Sequence, residues 1–545
     1  MAPTALRRRG VTLTVPEPAA RNAVAPALCG AALRAIERAF DRMFGAQANP
    51  WRHLGALSFF LFWIVVASGI YVYAFFDPSA AGAFRSVEAL AREQPYMGGV
   101  ARSLHRYASD AFALTVVLHL VRELALGHFR GFRWFSWLSG VPLIWLMIAS
   151  GVGGYWLVWD ELAQFVAIAT TEWLDWLPAF GEPLVRNFVA PEAVTDRLFT
   201  LLMFLHIGIP LLLLAGMFVH IQRVNYADVG PARALASGTV IALVALSVAK
   251  PALSHGAANL ALAPQALALD WFYLFFYPLL YGRSAGELWA WAAGLTLLLL
   301  LLPAARRGAR EPVAEVSLAN CNGCARCFAD CPYAAIVMRP REGGSERLRA
   351  VVLPGWCASC GICAGACPSS TPFRRGEKLV TGIDMPQRPV NALREALERA
   401  LEAPAPAPRV VAFGCDRAAP VGPLEQPGVT AFGLICVSML PPSFIEYALR
   451  DGADGVLVAA CREGECAYRT GERLAVERFA GRREPHLRAN VPPARVRLVH
   501  AGEGEEAELA RALDEFRAEL ARLPRLAIRP AARWRARHAG HPVKI

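Results

Sequence analysis

A chain of 545 residues is longer than one hydrophobic core ordinarily organises, and 55% hydrophobic residues with a mean hydropathy of +0.34 fit a membrane anchor joined to something soluble, not one soluble domain. The formal charge of +11 and isoelectric point near 9.2 would suit a nucleic-acid binder, but arginines at the ends of apolar runs and in the tails account for them, so no nucleic acid is expected as a partner. Twelve of the 13 cysteines fall between 321 and 466, and such clustering on a cytosol-facing segment points to metal and away from disulfides.

Residues 1–50 form an N-terminal arm with MAPTALRRRG, Pro16, Pro18 and Pro26, then the amphipathic ALRAIERAFDRMFGAQ. No apolar run follows the first arginines closely enough for a cleaved signal peptide. The pattern predicts a helix over 31–44 on the inner membrane surface, with Leu33, Ile36, Phe40 and Phe44 toward lipid or protein. Cys29 reads as a plain thiol. Six membrane spans are expected at 56–77, 106–126, 138–158, 198–222, 235–252 and 285–303, each near the roughly 20 residues a bilayer core needs. Arg122, Arg130 and Arg133, Arg223 and Arg233, and Arg306, Arg307 and Arg310 mark three connections as cytoplasmic, whereas Asp160, Glu161, Glu172, Asp175 and Glu182 mark 159–197 as outer. TEWLDWLPAF reads as outer surface helices. Residues 264–282 read either as a short re-entrant helix or as the start of a seventh span, and the cytoplasmic assignment of Arg306 and Arg307 favours the former.

Two expected spans carry histidine pairs: His105 and His119 in one, His206 and His220 in the other, each pair 14 residues apart. Fourteen residues return to within about 40° of the starting direction and rise about 21 Å, so each pair lies on one helix face with one imidazole toward each side of the bilayer. Two such helices can offer paired imidazoles to two haems, and four buried polar groups would be costly without that purpose. On the arginine topology His105 and His206 are outer, His119 and His220 inner. The stretch from about 50 to 305 resembles the cytochrome b of quinol:cytochrome c oxidoreductases. In that resemblance Arg102 takes the place of a haem-propionate arginine, Gly55 and Gly69 match first-span glycines, and Gly154 in GVGGYWLVWDE matches a glycine that lets a haem approach. LALDWFYLFFYPLL is similar to the family's Pro-Glu-Trp-Tyr segment at its outer quinol site, with Leu269, Asp270, Trp271 and Phe272 in those places. The resemblance implies two b haems, quinone or quinol as substrate, and Asp270 as the proton-carrying carboxylate. Proline is absent here, aspartate replaces the longer glutamate, and phenylalanine replaces tyrosine.

After PAARRGAREP a soluble region begins. Cys321, Cys324, Cys327 and Cys331, then Cys357, Cys360, Cys363 and Cys367, form C-x2-C-x2-C-x3-C-P twice, the two-cluster ferredoxin pattern in which each fourth cysteine crosses to the other cluster. One [4Fe–4S] set is therefore Cys321, Cys324, Cys327 and Cys367; the other is Cys357, Cys360, Cys363 and Cys331. Pro332 and Pro368 turn the chain away, and Gly323 and Gly361 leave room beside the clusters.

NALREALERALEAPAPAPR closes this region with a helix and a linker near 403–409. Beyond it, strand-like apolar runs alternate with helical stretches in a small parallel α/β domain, and Cys415, Cys436, Cys461 and Cys466 fall at or just after strand ends, which share one sheet edge. Four thiols there can make an iron–sulfur or a zinc site. LICVSMLPPSFIEYALRDGADGVLVAACREGECAYRTG resembles the small iron–sulfur subunit of the hydrogenase that couples to heterodisulfide reductase, which implies a [2Fe–2S] cluster and a flavoprotein partner. A further cysteine that family offers near Cys415 is absent.

The expected fold is multi-domain: an all-α transmembrane haem bundle with extra spans (51–305), a ferredoxin-like 2[4Fe–4S] domain (306–402), an α/β iron–sulfur domain (409–525) and a basic tail (526–545). With no nucleotide-binding glycine loop or phosphate-binding lysine loop, the flavin belongs to a partner: an FAD-containing, in some forms NAD(P)-linked, cytoplasmic dehydrogenase, or heterodisulfide-reductase-like subunits. The sequence reads as a wire in the bacterial inner membrane: partner flavin, [2Fe–2S], two [4Fe–4S], inner haem, outer haem, quinone. A homodimer through the membrane domain is compatible with it. A self-contained ferredoxin:quinone oxidoreductase and a redox sensor or scaffold without turnover are the alternatives.

Overall fold

The computed structural model describes residues 24–179, 182–222, 227, 229–262, 266–304, 311–341, 347–374 and 378–524. The arm before residue 24, the tail 526–545, Arg223, Arg306, Arg307 and Arg310, and the Cys29 side chain lie outside the described residues. The N-terminal half is helical: α1 (Val24–Phe44), α2 (Leu54–Phe75), α3 (Ala83–Arg92), α4 (Gly98–Ala125), α5 (Trp134–Val158), α6 (Glu161–Asp175), α7 (Arg186–Val189), α8 (Asp196–Gln222), α9 (Arg233–Ala249), α10 (Tyr277–Gly282) and α11 (Ala285–Leu301).

Each of the six expected spans falls on a helix, namely α2, α4, α5, α8, α9 and α11. Three helical segments are long and apolar enough to cross a bilayer by length and composition: Pro50–Phe75, Gly131–Val158 and Asp196–Gln222. Charge interrupts α4, and α9 and α11 have 17 residues each. The charges of α4 are paired, as apolar surroundings require: Arg102 with Glu88 at 3.0 Å, Arg106 with Asp110 and with Asp270, Arg122 with Glu37 at 2.7 Å. Helix α2 packs along α4 and α5 along α8, around Leu57, Leu61, Phe62, Phe112, Met147, Val152, Leu213 and Met217. The Ser58 hydroxyl donates to Thr115 Oγ1 at 3.0 Å between α2 and α4. Residues 266–276 run irregularly into the six-residue α10, so the described part of 264–282 holds one short helix.

In helix α1 Leu33 is buried while Ile36 and Phe44 are exposed, and its polar side makes ionic contacts. Glu37 binds Arg122 at the end of α4, while Asp41 takes Arg52 at 2.6 Å and Arg462 at 3.0 Å. Burial alone would raise the Asp41 carboxyl; hydrogen bonds from Arg52 and Asn49 and the charges of Arg52 and Arg462 bring it down to about 2. The helix is thereby clamped between the bundle and the C-terminal domain.

The soluble region opens with β1 (Glu315–Val316), α12 (Arg326–Ala329), β2 (Ile336–Pro340), β3 (Leu348–Val352), α13 (Ile362–Ala366) and β4 (Ile383–Asp384). Strands β2 and β3 pair antiparallel with Ile336 opposite Val352, as do β1 and β4 with Glu315 opposite Asp384. After α14 (Val390–Glu402) comes a parallel sheet of β5 (Val410–Cys415), β6 (Val429–Leu434), β7 (Gly455–Ala460) and β8 (Val496–His500), in the order β6-β5-β7-β8. The central strands β5 and β7 are buried along their whole length, which is why VVAFGC and GVLVAA read as continuous apolar runs. Helices α15 (Ser443–Arg450), α16 (Gly471–Phe479) and α17 (Glu506–Leu520) complete the domain.

Candidate functional site

The four histidines stand in two layers. His105 on α4 faces His206 on α8 with ring centroids 6.3 Å apart, and His220 lies within electrostatic reach of His119. Nδ1 of His105 contacts the Val65 carbonyl at 2.9 Å, and Nδ1 of His206 the Ser150 carbonyl at 3.1 Å. A carbonyl only accepts, so Nδ1 carries the proton in both rings and Nε2 keeps the lone pair a metal takes. Nδ1 of His220 has Ser139 Oγ at 3.1 Å and the backbone of Ser136.

Each histidine is met by a glycine on the neighbouring helix. A Cβ on Gly55 would stand 3.2 Å from Cε1 of His119, one on Gly69 2.8 Å from Cε1 of His105, one on Gly140 3.2 Å from Cε1 of His220 and one on Gly154 3.0 Å from Cε1 of His206. Gly140 was not singled out from the sequence, although it precedes Gly154 by the same 14 residues that separate Gly55 from Gly69. Two layers of paired imidazoles with bare backbone opposite form a donor set and a cradle that fit two haems.

Around the His105/His206 layer, Arg102 is engaged with Glu88, the Val87 carbonyl and Ser254. Asp270 is more firmly held than an exposed relay would be. One oxygen accepts from the backbone N–H groups of Phe272 and Tyr273 at 2.7 and 2.8 Å; the other takes Arg106 at 3.2 Å and the Tyr155 hydroxyl. Tyr273 in turn bonds Ser109 at 3.0 Å, so Asp270 ties the 266–276 segment to α4 and α5.

The eight ferredoxin cysteines sort as the crossed pattern requires. Cys321, Cys324, Cys327 and Cys367 line one cavity, and Cys331, Cys357, Cys360 and Cys363 line another. Gly323 (φ 75°) and Gly361 (φ 76°) adopt the left-handed conformation that wraps the chain at each cavity, and a Cβ on Gly323 would lie 2.4 Å from the Leu348 carbonyl oxygen. Among the described residues no three His, Cys, Asp or Glu side chains stand close enough to hold a single metal ion. Burial pushes the Cys327 thiol up to about 12 and raises Cys360 and Cys363 as well, so iron must displace a proton from each on assembly.

The last four cysteines also come together. Cys415, Cys436 and Cys461 follow or end the adjacent strands β5, β6 and β7 at one sheet edge. The thiols of Cys436 and Cys466 are neighbours, as are those of Cys466 and Cys461 and those of Cys461 and Cys415, which brings Cys415 into the set despite the missing neighbour cysteine. Gly471, at the start of α16, was missed in the sequence: its Cβ would stand 2.3 Å from Cys436 Sγ and 3.4 Å from Cys466 Sγ. The donor set fits a cluster pressed against bare backbone.

The 461–468 loop rests on the His119/His220 end of the bundle. Arg133 donates to the Cys466 carbonyl at 3.2 Å and the Ala467 carbonyl at 2.9 Å, and the Phe132 ring stacks on Tyr468 at 5.2 Å.

Known proteins agree with this division. Residues 40–227 match the family model described as cytochrome b/b6/petB, residues 320–371 that of the 4Fe-4S dicluster domain, and residues 414–524 that of the methyl-viologen-reducing hydrogenase delta subunit. A solved structure described as a hyperthermophilic respiratory Complex III aligns with 46% of this chain and 74% of its own at 23% identity and a TM-score of 0.38. The chain joins a membrane-integral cytochrome b region to a 4Fe-4S dicluster domain and a hydrogenase delta-subunit domain, in that order, and is a membrane electron-transfer subunit.

Proposed function

We propose that the chain exchanges electrons between a cytoplasmic flavoprotein partner and the membrane quinone pool, from the bacterial inner membrane with its soluble domains inside. His105 with His206 and His119 with His220 hold two b haems; the crossed ferredoxin sets hold two [4Fe–4S] clusters; Cys415, Cys436, Cys461 and Cys466 hold a [2Fe–2S] cluster. When bound, these groups supply reversible one-electron chemistry, and the protein supplies their ligands, spacing and surroundings. The observation that carries the reading is the continuity of the donor sets, with two layers of imidazoles in the bundle and three thiol sets stacked beyond one end of it. Pyridine haemochrome and iron assays on anaerobically purified protein test it: two haems and about ten non-haem irons per chain are expected. One haem, or no more than about eight non-haem irons in fully loaded protein, contradicts it.

Asp270 is the candidate proton carrier for quinone at the outer layer. Its contact with the Tyr155 hydroxyl supplies a neighbour able to pass a proton, and its pairing with Arg106 fixes the carboxylate in place. Asp270→Asn is expected to slow quinone-linked haem oxidation on the order of 100-fold while both haem spectra persist. Unchanged rates between about pH 6 and 8 would remove Asp270 from this role and leave exchange to the inner layer.

A further inference from the structure

The linear sequence suggests that the C-terminal thiol set lies farthest from the membrane, next to the partner. The contacts run otherwise. Arg133 links the Cys466 and Ala467 carbonyls to Glu123 at 3.4 Å, and Glu123 lies one helical turn beyond His119. Arg469, three residues after Cys466, lies within electrostatic reach of both His119 and His220. On its other side the same set meets the ferredoxin domain. A Cβ on Gly365 of α13 would stand 2.0 Å from the Ser438 carbonyl oxygen, one on Gly361 3.0 Å from Met439 Sδ, and Ile362 Cδ1 lies 3.6 Å from where a Gly471 Cβ would be. Cys466 also lies within electrostatic reach of Cys360, and Cys363 within reach of Cys327. The remaining end of the row is open, because Cys324 is exposed.

From these contacts we infer that Cys415, Cys436, Cys461 and Cys466 form the junction between the soluble centres and the inner histidine pair, and that the set containing Cys324 is the terminus an external protein meets. This rests on the proposed function and reverses the order of the soluble centres. The exchange at the junction is one electron per step: one centre is oxidised, its neighbour reduced, and no covalent bond forms or breaks. In the second test below the oxidant is the added quinone analogue.

Two measurements on the full-length protein test the placement. The first uses no quinone. Ferric haem carries a positive charge, so a nearby cation favours reduction; Arg469→Gln is expected to lower the midpoint potential of the inner haem in a spectroelectrochemical titration and leave the outer one unchanged. An unmoved inner potential overturns the placement. The second uses Cys466→Ser protein shown by iron assay to have lost only the third centre. After reduction with dithionite and mixing with a soluble quinone analogue, both [4Fe–4S] signals are expected to persist in freeze-quench spectra after the haems have been oxidised. Their loss together with the haem signal would show that the ferredoxin domain reaches the haem directly and would overturn the inference. If quinone oxidises no haem even in wild-type protein, the proposed function fails instead, and the titration still reports on the junction.

Discussion

A Cβ built on Gly69 would stand 2.8 Å from Cε1 of His105, and one on Gly140 3.2 Å from Cε1 of His220. An alanine at Gly140 asks a few tenths of an ångström of the ring, whereas the branches of valine must turn it out of line. Gly140→Val is therefore expected to remove the same haem as His220→Ala, halving the haemochrome yield while the iron–sulfur content stays constant. Full haem content would show that the cradle has slack. At this scale the arrangement was legible wherever a spacing repeats: the two histidine pairs, Gly55 with Gly69, and the doubled cysteine run. Gly140 was equally readable from its distance to Gly154. Gly471 was not, because its role comes from where α16 begins relative to Cys436 and Cys466, which are close to it only in space. The sequence likewise marked Asp270 but could not show its pairing with Arg106, 164 residues away.

Single elements follow the same division. Strands β5 and β7 were legible because both faces are buried, so their apolar runs are unbroken. Helix α1 was legible as an amphipathic helix, but its ionic contacts were not, because they reach residues far along the chain. Arg52 is the centre of that clasp: its side chain is 1% exposed and it binds both Asp41 and Glu465. Removing one partner of such a buried group strands the others, at a cost of about 3–5 kcal/mol. Arg52→Ala is expected to raise hydrogen exchange in α1 and in the 461–466 loop, with both haem spectra retained. Exchange confined to the substituted residue would show that the clasp contributes little to docking. Arg52→Lys, which keeps the charge but loses the forked geometry, should fall between the two.

For the molecule as a whole, the three regions and their order could be read from composition shifts and motifs, since each carries its own period of hydrophobicity or cysteine spacing. Their docking could not, because chain order says which regions are connected and not which surfaces meet. Hence the sequence suggested a C-terminal cluster at the far end, while Arg133, Phe132 and Arg52 hold that domain against the bundle. A pull-down with the full-length protein is expected to recover a flavin-containing partner, and Cys324, on the exposed set, is the residue whose surroundings that partner should protect from hydrogen exchange. Recovery without protection there would place the partner elsewhere. The central claim, that the haem bundle connects soluble centres to quinone, is tested most directly by oxidising fully reduced protein with a quinone analogue and following the iron–sulfur signals in wild type and His119→Ala. The account predicts that wild-type iron–sulfur centres are oxidised along with the haems. In His119→Ala, which lacks the inner haem, they should stay reduced while the outer haem is still oxidised. Iron–sulfur oxidation at the wild-type rate in His119→Ala would contradict it.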